Sequence, residues 1–488
     1  MALKPLPSAE MVGTSVGSLG ERARFRAPSS LVLLFVGLML YAAFGKGFAY
    51  AGWPPIFVGE VLMAVVIAAS LRPQAAIPYN AAAAVTAVLI AFGAVQLAVD
   101  RLDGAVPLLE TLRGLAPLYY SVYGFGTYML LRAYEQRIGR AAALAVVERA
   151  VIAAAPWVMG VVTVLATLLL VEPRALPTWP KSGVPLLLSK PWDLAVTLVL
   201  FAPVIFMRQR RPAFAGPQLV LITLWCSSAV VISFRSRGAL LALVAGLFIL
   251  RPHVTRILKG IMVVTPIVLL LYVTGISVEV GYREISYEAL GDAVASVLGG
   301  GSDDEVGGDY VATTEWRSEW WRAIWADVSE ERMLLHGHGW GDNLAIRYGI
   351  ASHTAADDPR ALRVPHNIFL SLAGRAGLAV AVGLVVVVPV LTIGRTFRRQ
   401  PDQPTPRTVE AARGGVVAAL VASLTDVFLE SPQGGIITWS LLGFLWWSCA
   451  PAVEPGRHLE ACTQDGAQND NRPSAMKLGS AGEVRVHR

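Results

Sequence analysis

The sequence predicts an all-α polytopic membrane bundle of about twelve transmembrane helices, with a large extracytoplasmic loop between spans nine and ten. Three observations carry this. The 488 residues are 55% hydrophobic and only 16% charged, with a mean hydropathy of +0.54, too apolar for a soluble chain of this length. Runs such as Leu31 to Phe44, Ala81 to Val99, Val151 to Val171 and Leu378 to Ile393 carry few or no charges, and several approach the roughly 20 residues that a bilayer crossing takes. Charge is also divided along the chain: residues 277–364 hold 16 Asp and Glu against 7 Arg, a net of −9, so the remainder of this +6 chain stands at +15.

Taken in order, residues 1–28 are polar and carry Lys4, Arg22, Arg24 and Arg26, which places the amino terminus in the cytoplasm by the positive-inside rule. The first apolar run lacks a small-residue cleavage site and is followed by more, so it reads as a retained span and not a signal peptide. Nine spans are expected over 29–276, near 29–45, 56–71, 77–99, 114–131, 150–171, 192–207, 217–234, 238–250 and 260–276. Three more are expected over 365–452, near 366–393, 412–429 and 435–450, and residues 453–488 read as a disordered cytoplasmic tail. Alternation then makes the connections at Arg72, Arg132 to Arg149, Arg208 to Arg211, Arg251 to Lys259 and Arg395 to Arg413 cytoplasmic, and all five are basic. Because basic residues come in short clusters between apolar runs, topology and the lipid bilayer explain them better than a nucleic acid does. Cys226, Cys449 and Cys462 are scattered, which suits neither a disulfide framework nor a metal cluster.

The chemistry-bearing residues lie at membrane boundaries on the outer side. Arg235 and Arg237, in Ser233-Phe234-Arg235-Ser236-Arg237-Gly238, interrupt an apolar stretch between spans seven and eight. They read either as an interfacial turn whose guanidiniums reach headgroup phosphates or as a holder for an anionic substrate, since Arg presents a planar fork matched to phosphate. In the loop, Trp316, Trp320, Ile324 and Val328 recur at helical spacing, marking an amphipathic helix over Glu315 to Val328 that suits the membrane interface or burial in a folded loop. The Asp303-Asp304-Glu305 run, flanked by glycines, reads as a solvated acidic segment more readily than as a metal site. His336, His338, His353 and His366 fall within about thirty residues, but without a Cys partner or a His-Glu-x-x-His pattern they give no zinc signature. His366 follows Pro365 at the start of span ten, where a helix amino terminus favours the neutral imidazole, a form that serves either as a general base or as a simple cap. Arg375, Asp426 and Glu430 are boundary charges, functional by default or paired to hold the bundle together.

Three stretches together resemble the O-antigen ligase and polymerase family of bacterial envelope glycan enzymes. They are Ser236-Arg237-Gly238-Ala239-Leu240-Leu241, the helix from Glu315 leading to Leu335-His336-Gly337-His338-Gly339-Trp340-Gly341, and Pro365-His366-Asn367-Ile368-Phe369-Leu370 with Gly374 and Gly377. The resemblance covers about residues 217–393, and the proline that usually opens the glycine run is absent. It implies a metal-independent transferase, without cofactor, in the bacterial inner membrane with both termini cytoplasmic. Such an enzyme moves a glycan from an undecaprenyl-diphosphate carrier to an acceptor hydroxyl on a lipid or glycan. His366 would take the hydroxyl proton, and Arg237 with Arg235 and Arg317 would hold the diphosphate. His338, Asn367 and Asp426 complete the implied substrate-binding set. A polymerase or a protein O-glycan ligase differs only in the acceptor. A polysaccharide or lipid transporter is the alternative of another class, disfavoured by the acidic outer loop.

Overall fold

A computed structural model describes residues 28–53, 56–70, 81–102, 107–169, 176–180, 183–206, 215–250, 278–280, 283–285, 305–350, 363–398 and 405–452. Span 260–276, the terminal segments, His353 and the residues from Gly299 to Asp304 lie outside this set. The chain runs α1 (Ser29–Ala49), β1 (Gly52–Trp53), β2 (Ile56–Phe57), α2 (Val58–Ser70), α3 (Ala81–Leu102), α4 (Leu108–Gly114), α5 (Ala116–Tyr119), α6 (Ser121–Ile138), α7 (Arg140–Leu168), α8 (Pro191–Phe206), α9 (Ala215–Arg235) and α10 (Arg237–Ile249). After the strand pair β3 (Val278–Val280) and β4 (Arg283–Ile285) come α11 (Glu305–Glu330), α12 (Leu344–Arg347), α13 (Ile368–Ala376), α14 (Leu378–Arg398, with a π-turn at Gly383–Val387), α15 (Arg407–Thr425) and α16 (Pro432–Cys449).

Six of these helices, α1, α3, α7, α9, α14 and α15, are long and apolar enough to cross a membrane, and α2, α8 and α10 are shorter apolar helices. Large apolar side chains such as Val32, Val88, Val164, Leu219, Phe248 and Val390 point outward, the surface a membrane-associated protein presents to lipid. Inside, two buried clusters share the bundle. One joins α1, α2, α6, α16 and the loop helices; the other joins α7 to α10. The helix α15 belongs to both, through Val409 and Val416 in the first and Ala418 and Ala422 in the second.

Small residues set the closest approach. Gly238, Ala242 and Gly246 recur every four residues on α10, and a Cβ at Gly246 would fall 3.0 Å from the Ala418 Cβ of α15. In lipid, where apolar side chains gain little by leaving solvent, such a seam lets dispersion and backbone proximity hold two helices together. It also fixes the register that carries Gly238 to within contact of Thr425, the last residue of α15.

The structure changes several expected boundaries. The span expected at 366–393 is two helices broken at Gly377, whose φ of 97° only glycine adopts without strain, so Arg375 sits in a separate short helix. The span expected at 114–131 is divided near Tyr120 into α5 and α6. Residues 140–149, expected in a cytoplasmic connection, open α7; the break is at Gly139 (φ 80°). The span expected at 412–429 ends at Thr425, with Asp426 extended as its C-cap. The amphipathic helix runs further than its sequence signal, over Glu305–Glu330, and Trp320, Ile324 and Val328 are buried against Trp340, Leu344 and Ile368. That face is used for packing inside the protein, leaving Trp325 on the outside at 48% exposure.

The end of the bundle away from the loop is closed by Glu135. Its fully buried carboxylate accepts from Arg132 Nη1 (3.1 Å), Arg140 Nη2 (2.9 Å) and Trp447 Nε1 (2.8 Å), tying α6, α7 and α16 into one knot. The same arginines also donate to the carbonyls of Ala450 and Pro451. Three donors answer one carboxylate, which is how a buried charge is tolerated.

Candidate functional site

At the loop end of the bundle the polar termini of several helices converge on Asp426. His366 Nδ1 and Lys190 Nζ approach the same oxygen, Oδ1, at 3.3 and 3.6 Å, while the Val427 amide donates to it at 2.7 Å. Burial opposes the Asp426 charge, but His366, Lys190 and this amide together hold the carboxyl below the usual carboxylate range. The His366 contact is a close approach without aligned hydrogen-bond geometry, and Nδ1 has no hydrogen-bond partner among the described residues.

The local sequence places His366 firmly. Its φ is 54°, a left-handed conformation that a non-glycine residue seldom takes and that costs about 1–3 kcal/mol. On one side the Pro365 carbonyl accepts from Trp321 Nε1 of α11 at 2.7 Å. On the other, Asn367 is the N-cap of α13, its Oδ1 accepting from the amides of Phe369 (3.0 Å) and Leu370 (3.2 Å). The backbone that carries the imidazole is thereby fixed between a clamped proline and a capped helix.

Arg317 reaches the site from α11. Its Nη1 donates to the Thr425 carbonyl at 3.4 Å, its Nε has no hydrogen-bond partner among the described residues, and its guanidinium lies 5.5 Å from the Trp316 ring centre. Burial lowers its pKa, against the pull of the Asp426 charge. Arg235 and Arg237 flank a one-residue break between α9 and α10, where Ser236 caps α10 by accepting from the Ala239 amide at 3.3 Å. The next residue, Gly238, leaves room for the Thr425 side chain: a Cβ there would meet Oγ1 at 2.5 Å. The backbone of Arg237 is thus beside the α15 terminus that carries Asp426. His366, Arg237, Arg317, Asn367 and Asp426, separated by up to 189 residues in sequence, share one end of one helix.

His338 is elsewhere. Its Nε2 lies 2.6 Å from Asp327 Oδ2, which also accepts the Tyr348 hydroxyl, and its amide donates to the Gly374 carbonyl at the far end of α13. At 1.5 Å per residue, α13 separates it from His366 by on the order of 10 Å. The glycine run around His338 serves the backbone. A Cβ at Gly337 would strike the Gly374 carbonyl oxygen at 2.4 Å, and Gly339 has a φ of 95° with the Asp100 carboxylate 2.7 Å from its would-be Cβ. His336 is exposed.

Four residues of the site carried no functional reading in the sequence. Lys46 follows the kink of α1 at Gly45, and its charge acts on Lys190, Asp193 and Asp426. Asp193 in the first turn of α8 accepts from the Lys190 amide at 3.1 Å and faces Gln433 of α16. The signal was present in two places. Lys46 is the lone charge in the apolar run from Leu31 to Ala51, and Lys190-Pro191-Trp192-Asp193 puts two charges at the mouth of span six. Neither pattern says that the two meet. Compared with protein-family models and with curated proteins, the chain matches none.

Proposed function

We propose that the chain is an inner-membrane glycosyltransferase of the O-antigen ligase type, acting on its extracytoplasmic face. The observation that carries this reading is the meeting of His366, Asp426, Arg317 and the Arg237 backbone at the terminus of α15. In this reading the short basic connections hold the Glu135 end inside, which turns the Asp426 end outward.

The reaction follows from the groups present. The acceptor hydroxyl oxygen forms a bond to the anomeric carbon of the donor sugar while the bond from that carbon to the diphosphate oxygen breaks. The hydroxyl proton passes to His366 Nε2, the tautomer with Nδ1–H facing Asp426 leaving Nε2 as the acceptor. The electron pair of the broken bond stays on the undecaprenyl diphosphate, whose added charge Arg317 and Arg237 neutralise. A diphosphate is already a good leaving group, so positioning and charge neutralisation supply the barrier reduction without a metal.

Purified protein reconstituted with a lipid-linked oligosaccharide donor and candidate lipid, glycan and protein acceptors tests the reading. Transfer that persists in chelator is expected, and the acceptor used separates ligase from polymerase. Absence of transfer to any acceptor, together with movement of the lipid-linked donor across the bilayer, would replace the enzyme with a transporter.

A further inference from the structure

A buried polar region adjoins Asp426 between the Gly45 kink of α1, the start of α8 and the start of α16, and Lys190 from it shares the Asp426 oxygen that His366 approaches. A Cβ at Gly45 would sit 2.7 Å from Ser189 Oγ and 2.8 Å from Asp193 Oδ2, so the kink exists where α8 presses on α1. Lys46 follows directly and makes no ion pair among the described residues; its ammonium lies 5.7 Å from the Tyr50 ring centre. Lys190 is held loosely, 3.6 Å from Asp426 and 4.6 Å from the Trp192 ring centre.

Among the described residues the charges here do not balance. Lys46, Lys190 and Arg317 face Asp193 and Asp426, three cations against two carboxylates, while Glu430 is answered by Arg375. An excess cation in an enclosed boundary site is costly unless an anion joins it. Three buried polar atoms in the same region, Ser189 Oγ, Asp193 Oδ1 and Gln433 Oε1, have no hydrogen-bond partner among the described residues, and their residues are 2–5% exposed. Two of the three are acceptors only. A phosphate oxygen cannot satisfy them, whereas a hydroxyl donates to either.

We infer that this region is a subsite for a glycosyl phosphate, with Lys46 and Lys190 holding the phosphate and Asp193 and Gln433 accepting from sugar hydroxyls. The inference rests on the transferase reading for its place in a reaction: the phosphosugar is the end of the lipid-linked donor at which the bond breaks. Lys190 then has two partners in turn. Without donor it neutralises Asp426; with donor it moves to phosphate, and Asp426 is left to His366.

The test uses full-length protein in detergent, with hexose and N-acetylhexosamine 1-phosphates, inorganic phosphate and the free sugars as probes. At least one sugar 1-phosphate is expected to bind about 10-fold or more tighter than phosphate or its parent sugar, the discrimination that added charge-assisted and hydroxyl hydrogen bonds give. Lys46→Met should weaken phosphate and sugar phosphate alike, Lys46→Arg should restore both, and Gln433→Leu should weaken the sugar phosphate alone. Equal binding of phosphate and sugar phosphate, or unchanged binding in Lys46→Met, would overturn the subsite. Turnover separates the two readings. With active wild type, Lys46→Met should raise the KM for lipid-linked donor about 10-fold, and an unchanged KM refutes the subsite but not the transferase. With inactive wild type, the binding pattern above would still support the subsite while the transferase reading fails.

Discussion

His366 takes an uncommon backbone conformation and is held there by a proline clamped from α11 and by the cap on α13. Its ring is therefore placed by local structure, and its side chain is free to be tested. His366→Ala and Arg237→Ala should each reduce glycan transfer by on the order of 100-fold or more, with normal membrane insertion by fractionation; full activity in either variant removes that residue from the mechanism. A second residue-scale expectation concerns Asp327. Burial raises its carboxyl, but the hydrogen bonds from Tyr348 and His338 outweigh that, so its pKa is lowered. A carboxyl depressed in the folded state contributes stability above its unfolded value of about 3.9 and loses it as pH falls through the folded value. Asp327→Asn should cost about 1.5 kcal/mol near neutral pH and little in strong acid, measured as thermal stability against pH.

Among the elements, the two helix ends differ in what they tolerate. The knot at Glu135 has one carboxylate serving three donors, so Glu135→Gln leaves two largely buried arginines without their counter-charge and should cost roughly 3 kcal/mol, read as a lower melting temperature in detergent. Glu135→Gln with Arg132→Gln should recover part of it. The break between α13 and α14 is of the other kind. Gly377 has a φ of 97° and its would-be Cβ lies 2.8 Å from the His336 amide nitrogen, so Gly377→Ala should dislodge the turn at 336–339 and reduce transfer, whereas Gly383→Ala in α14, where nothing lies within 4 Å, should not. This break also marks a limit of sequence reading. Apolar periodicity continues through 366–393, and only the pair Gly374 and Gly377 hinted that the backbone turns aside there. That Gly337, His338 and Gly339 dock against Gly374 and Arg375 depends on a packing partner more than 30 residues away, which no local pattern announces.

For the whole molecule, helix and membrane character were legible because they rest on composition and run length, which need no partner to be recognised. Of the candidate site residues, His366, Arg317 and Asp426 were legible as charges that stand out in an apolar chain, and they meet at α15, whereas His338 lies elsewhere. Lys46, Lys190, Asp193 and Gln433 were not, since their meaning comes from the α1 kink, which a single Gly45 in an otherwise helical run does not announce. Sidedness is a separate expectation. An impermeant thiol reagent should label a cysteine placed at exposed Arg322 in intact cells and reach Cys462 only after permeabilisation; the reverse pattern would invert the bundle. The turn at 336–339, finally, bears on how that end of the bundle opens. Met333 and Leu334 accept from the amides of Leu378 and Ala379, while Gly374 and Arg375 accept from those of His338 and Gly339, so lifting this edge breaks four main-chain hydrogen bonds, each worth on the order of 1 kcal/mol. That edge of the bundle end therefore behaves as a closed seam, which parts only when all four are lost together.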